Sequence, residues 1–106
     1  MSKQLIFAIY DQKAHAYARP FFLQTEGLAI RELKDAANDP NTSIGRHPED
    51  YTLFCMGTYN EVSGHFDIFN EGKVITKALA LVDVPQEDEQ LQLPNLGDMQ
   101  KFLKAK

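Results

Sequence analysis

Phe21 to Tyr59, FFLQTEGLAIRELKDAANDPNTSIGRHPEDYTLFCMGTY, constrains this chain more than any other stretch, because it joins one amphipathic helix to one aromatic-rich strand through a turn-forming connection. Thr25 is placed to cap the helix by accepting amide hydrogens exposed in its first turn, and Glu26 suits the positive end of the helix dipole. Ala29, Ile30, Leu33 and either Ala36 or Ala37 recur at three- and four-residue steps, a stripe that must lie on a sheet. Arg31, Glu32, Lys34 and Asp35 fall largely outside it. Asn38-Asp39-Pro40 stops the helix, since the residue before a proline avoids helical geometry. The spacing predicts a helix over about 25–38.

The flanking segments read as strands. Leu5 to Tyr10 is apolar at both alternating sets of positions, as a central strand covered on both faces would be. His15 to Leu23 could return as a second, less regular strand, but Pro20 lacks the amide hydrogen that a ladder needs and marks an edge or a break. Asn41 to Asp50 reads as a surface loop exposing Arg46 and His47. Tyr51 to Tyr59 fits a strand with bulk on both faces, and Asn60 to Gly64 a hairpin connection into His65–Asn70. Val74 to Val82 reads as a further strand, with helix as the competing reading of ALALV.

These elements give an α+β fold: a small antiparallel or mixed sheet of four to five strands against one main helix. With 106 residues, 43% of them hydrophobic, the chain supports one core. That core is assigned to 1–82. Composition shifts at Asp83, and 83–98 reads as an acidic connector. Residues 99–106 offer a short C-terminal helix with Met99, Phe102 and Leu103 on one face and three lysines suited to its negative end.

Chemistry is harder to find. The single Cys55 has no partner for a disulfide or a CxxC pair. His15, His47 and His65 are scattered, which announces no metal site. His47-Pro48-Glu49-Asp50 reads as a capped turn entering a strand rather than an acid/base centre. No nucleophile elbow, phosphate-cradling loop or dinucleotide fingerprint occurs, so neither catalytic residues nor a cofactor is expected. No secretory leader or apolar run of membrane-spanning length is present, and a cytosolic protein is expected.

The net charge of −4 argues against a whole-molecule positive field. A nucleic acid would therefore need a local patch. Aromatic residues crowd the predicted strands, and rings exposed on a sheet form a stacking platform for single strands. Arg19, Arg31, Lys34 and Arg46, with Tyr17, Tyr51, Phe54 and Tyr59, are the residues from which such a patch would be built.

Three runs, YDQKAHAYARPFF, TEGLAIRELKDAANDP and HPEDYTLFCMGTYN, resemble the small nonstructural protein of gokushoviruses, tailless phages of the Microviridae with single-stranded DNA genomes. The similarity spans roughly Ile9 to Gly64. Arg31 matches the arginine of the AIR-type helix, and Tyr51 and Phe54 match the strand motif. The resemblance implies a protein absent from the virion, made in the cytoplasm of the infected bacterium and binding single-stranded DNA in genome replication, single-strand synthesis or packaging. The acidic connector and the lysine-bearing end have no counterpart in it. The competing expectation is an interaction module that engages a phage replication or capsid assembly protein, or a host factor. A homodimer through exposed strand edges is a further expectation.

Overall fold

A computed structural model describes residues 3–84. One antiparallel sheet dominates it, with strands in the order β2-β1-β4-β5 and β3 also paired to β1. β1 (Lys3–Asp11) is central. β2 (Ala16–Tyr17) and β3 (Phe21–Leu23) share its one edge, Tyr10 facing Tyr17 and Ile6 facing Phe22. They are two pieces of one returning strand, interrupted across Ala18–Pro20 where Pro20 can donate nothing to the ladder. On its other edge β1 pairs with β4 (Tyr51–Asn60), which in turn pairs with β5 (Phe66–Lys77).

α1 (Glu26–Ala37) lies on one face of this sheet. Thr25 Oγ1 accepts from the Leu28 amide at 3.2 Å, and the Asn38 amide closes the last turn on Lys34 O. The apolar stripe is buried as its spacing requires: Ala29, Leu33 and Ala37 pack with Phe7, Leu53 and Cys55 into one core. Phe21 stacks on Phe7 at 5.7 Å within that layer.

Several expectations need correction. The polar connection Asn41–Asp50 is not a plain loop: it holds a single helical turn, α2 (Ser43–Arg46), capped by Thr42 Oγ1, followed by a 3-10 turn at Pro48–Asp50. Gly45 permits this turn, because a side chain there would collide with the carbonyl of Asp39. The two strands expected at 65–70 and 74–82 are one strand, β5, carrying register breaks that set Gly57 opposite Ile68 but Cys55 opposite Lys73. Ala78–Leu81 turns into a 3-10 helix, with Ala78 fully buried in the core. β1 is central, yet α1 covers only one of its faces. The connector beyond Val84 and the C-terminal helix expected at 99–106 lie outside the described residues.

Candidate nucleic-acid interface

Because side chains alternate along strands, the residues that do not face α1 share the opposite face of the sheet. Register assigns Ile6, Ala8 and Tyr10 of β1, and Phe54 and Tyr59 of β4, to this face, and Phe66, Ile68 and Val74 of β5 lie beside them. None of the described helices covers it. Ile6 and Ala8 are nevertheless buried, at the floor of the face between larger neighbours. Its rim is open: Tyr17 is 51% exposed, Phe66 52%, Ile68 56% and Val74 59%.

Six rings on this face form two groups. At one end Tyr10 and Tyr17 stand 4.8 Å apart, with Phe54 edge-on at 5.6 Å from Tyr17. At the other, Tyr59 and Phe66 are 4.8 Å apart, with Phe22 edge-on to Tyr59 at 5.5 Å. These separations and tilts lie in the favourable range for aromatic pairs. Between the groups runs an apolar groove of about 390 Å³ with Ile6, Ala8, Met56 and Ile68 along it. Among the described residues, no carboxylate and no charged group of any kind lines that groove.

Local sequence explains the shape. A register shift between Ile6 and Phe7 leaves Met56 unpaired in β4 and directs it into the groove. Gly72 sits against the same floor: a Cβ there would meet Met56 Sδ at 2.8 Å and Phe54 at 3.2 Å. A residue without a side chain is what keeps β5 close over that part of the face.

Of the residues picked from sequence, Tyr17, Phe54 and Tyr59 are brought onto the open face, and Arg19 lies in the connection directly after Tyr17, between groove residues Ala18 and Pro20. Tyr51 is placed elsewhere, half-buried against the α1-side core. Arg31 and Lys34 are on α1, and Lys34 pairs with Asp83 at 3.8 Å. Arg46 ends α2 and reaches the Pro40 carbonyl at 3.5 Å. The helix-side cations and the exposed rings are thus on opposite sides of the sheet, not in one basic-aromatic patch.

Tyr10, Phe22 and Phe66 complete the ring groups and were missing from the sequence-derived set, as was Lys77, which shares a row with Thr52 and Tyr10 across the sheet. One signal could have found them. Two apolar sheet faces and a single long helix in the core leave one face without a cover. His47, Glu49 and Asp50 converge at the 3-10 turn, with His47 Nδ1 4.0 Å from Glu49 Oε2, but His47 and Glu49 are exposed and none of the three lines the groove.

No curated protein and no solved structure matches the chain. A family model described as Phage ORF5 protein matches residues 4–81, a span that includes all six rings of the open face as well as α1 and the core. The chain belongs to this family of phage proteins.

Proposed function

We propose that this phage protein binds single-stranded DNA on the open face of its sheet, by stacking unpaired bases on the two ring groups. The observation that carries the reading is the gathering of six aromatic rings on the one sheet face that α1 leaves uncovered. Base-on-ring stacking contributes about 1–3 kcal/mol per base, and a few such contacts outweigh the cost of approaching an anionic chain. In this reading Lys77, in the row of Tyr10, and Arg19, in the connection after Tyr17, supply the phosphate contacts, and Arg31, Lys34 and Arg46, on the helix side, do not. In keeping with the gokushovirus resemblance, the DNA is the genome of a microvirus. The protein then acts in the infected bacterial cytoplasm during replication, single-strand synthesis or packaging, without catalysis and without joining the virion.

Fluorescence anisotropy with a labelled oligonucleotide tests this. Binding of single strands at low salt, competed by unlabelled single strands and poorly by duplex, supports it; no binding by the folded protein overturns it. A second reading has its own observation, the wholly apolar lining of the groove, which suits a protein surface as well as a base. Under that reading the face covers a phage or host protein, and a stable complex survives nuclease treatment of an infected-cell extract.

A further inference from the structure

We infer that the open face is a bipartite site, which engages two separate bases of one strand at its two ring groups and reads their ring faces rather than their edges or sugars. This rests on the single-strand reading above. Phe54 belongs to one group and Tyr59 to the other, five residues apart in β4. Met56 bulges out of the ladder between them, so their β1 partners Ala8 and Gln4 are four residues apart, and at about 3.3 Å per residue the two groups are separated by roughly 13 Å. Stacked bases rise about 3.4 Å each, so the span corresponds to about five nucleotides with both end bases counted.

The groove between the groups decides what the site can recognise. Ile6, Ala8 and Ile68 carry neither donors nor acceptors on their side chains, and Met56 offers only a weakly accepting thioether sulfur. Base edges passing over these four side chains find no strong hydrogen-bond partner, and a ribose 2′-hydroxyl finds none either. Discrimination between sequences and between DNA and RNA both require such partners. The site therefore accepts either sugar and any sequence, ranking bases by the size of the ring surface that they present, purines ahead of pyrimidines.

Charge is complementary in one respect. Among the described residues the groove is lined by no carboxylate, on a chain with a net charge of −4, and cations stand at the Tyr10–Tyr17–Phe54 end, where Lys77 shares the row of Tyr10 and Arg19 lies two residues after Tyr17. An anionic strand thus meets a phosphate contact at one end and ring contacts alone at the other. Few phosphates are neutralised, and the salt dependence is shallow, with a slope near −0.7 per phosphate contacted.

Titration of the full chain with oligo-dA from two to ten nucleotides tests the arrangement. Affinity steps upward between about three and six nucleotides, where one strand first reaches both groups and the second contact becomes intramolecular. A hexamer whose central positions are abasic keeps most of its affinity, and one whose terminal positions are abasic loses it. Tyr17→Ser and Phe66→Ser change one exposed ring in each group; each lowers hexamer affinity about tenfold to a hundredfold while leaving the dimer-length oligonucleotide affected by only one of the two.

A smooth rise of affinity with phosphate count, or equal binding of a fully abasic strand, overturns the bipartite site while leaving single-strand binding intact. Absence of binding at every length overturns the single-strand reading itself. Sedimentation that finds a dimer which oligonucleotides do not dissociate, and which Phe66→Ser does, overturns both and assigns the face to a second copy of the chain.

Discussion

The carbonyl oxygen of Asp67 lies so close to Gly57 that a Cβ at position 57 would overlap it, and the same Cβ would come within 2.9 Å of the Ile68 Cα. This close approach lies at the turn-proximal end of the β4–β5 ladder, where Thr58 faces Asp67 and Tyr59 faces Phe66. Both obstacles are backbone, so neither can rotate away. Gly57→Ala is expected to cost about 1–3 kcal/mol, the usual effect of forcing extra volume into a packed site. Urea denaturation measures it, and an unchanged midpoint would show that the strands are not held this tightly.

Asn38 ties the end of α1 to the segment that leaves the sheet. Its side-chain amide donates to Leu81 O at 3.1 Å, and its side-chain oxygen accepts from the Asp83 amide at 2.8 Å. Asn38→Ala removes both contacts and also the bond to Lys34 O. A loss of about 1–2 kcal/mol is expected, since these groups are exposed and water replaces part of what is lost. Amide exchange at Asp83 accelerates in the same variant, while exchange in β1 and β4 follows only the global change.

The two faces of the sheet respond unequally to truncation. Leu33 is 1% exposed beneath α1, and Leu33→Ala is expected to lose about 2–5 kcal/mol. Phe66, half exposed on the other face, gives up its ring contacts with Tyr59 and Phe22 and part of the groove wall, so Phe66→Ser is expected to lose less, about 1–2 kcal/mol. Thermal denaturation of the two variants side by side separates a residue retained for the core from one retained for the surface.

Cations on the two sides are likewise distinguishable. Arg31→Gln and Arg46→Gln, on the helix side, are expected to leave affinity for single strands within about twofold. Arg19→Gln and Lys77→Gln are expected to weaken it, each reducing the slope of log affinity against log salt by about 0.7. Anisotropy titrations at several salt concentrations read both quantities.

Local signals carried much of this fold. The Thr25 cap, the stripe through Ala29 and Leu33, and the stop at Asn38 bound a helix observed at Glu26–Ala37, one residue inside the expected limits at each end. Pro20 marks the break between β2 and β3 because its missing donor acts at the residue itself. What escaped depends on partners distant in sequence. β5 is continuous only because β4 accommodates its register breaks, and neither strand announces a bulge alone. Tyr51, Phe54 and Tyr59 look equivalent in an aromatic strand with bulk on both faces. Their division between core and open face follows from where α1 docks and from the unpaired Met56, which shifts the alternation midway along β4. The helix-side arginines looked available to the rings for the same reason: sequence proximity does not tell which side of a sheet an element occupies.

Chemical-shift mapping of isotopically labelled protein titrated with a short single-stranded oligonucleotide tests the central claim most directly. The account predicts that the aromatic resonances of Tyr17, Phe22, Phe54 and Phe66 move together with the methyl signals of Ile68 and Met56, while Leu33, Arg31 and Lys34 stay in place. Movement confined to α1 and α2, with the open face silent, would contradict it.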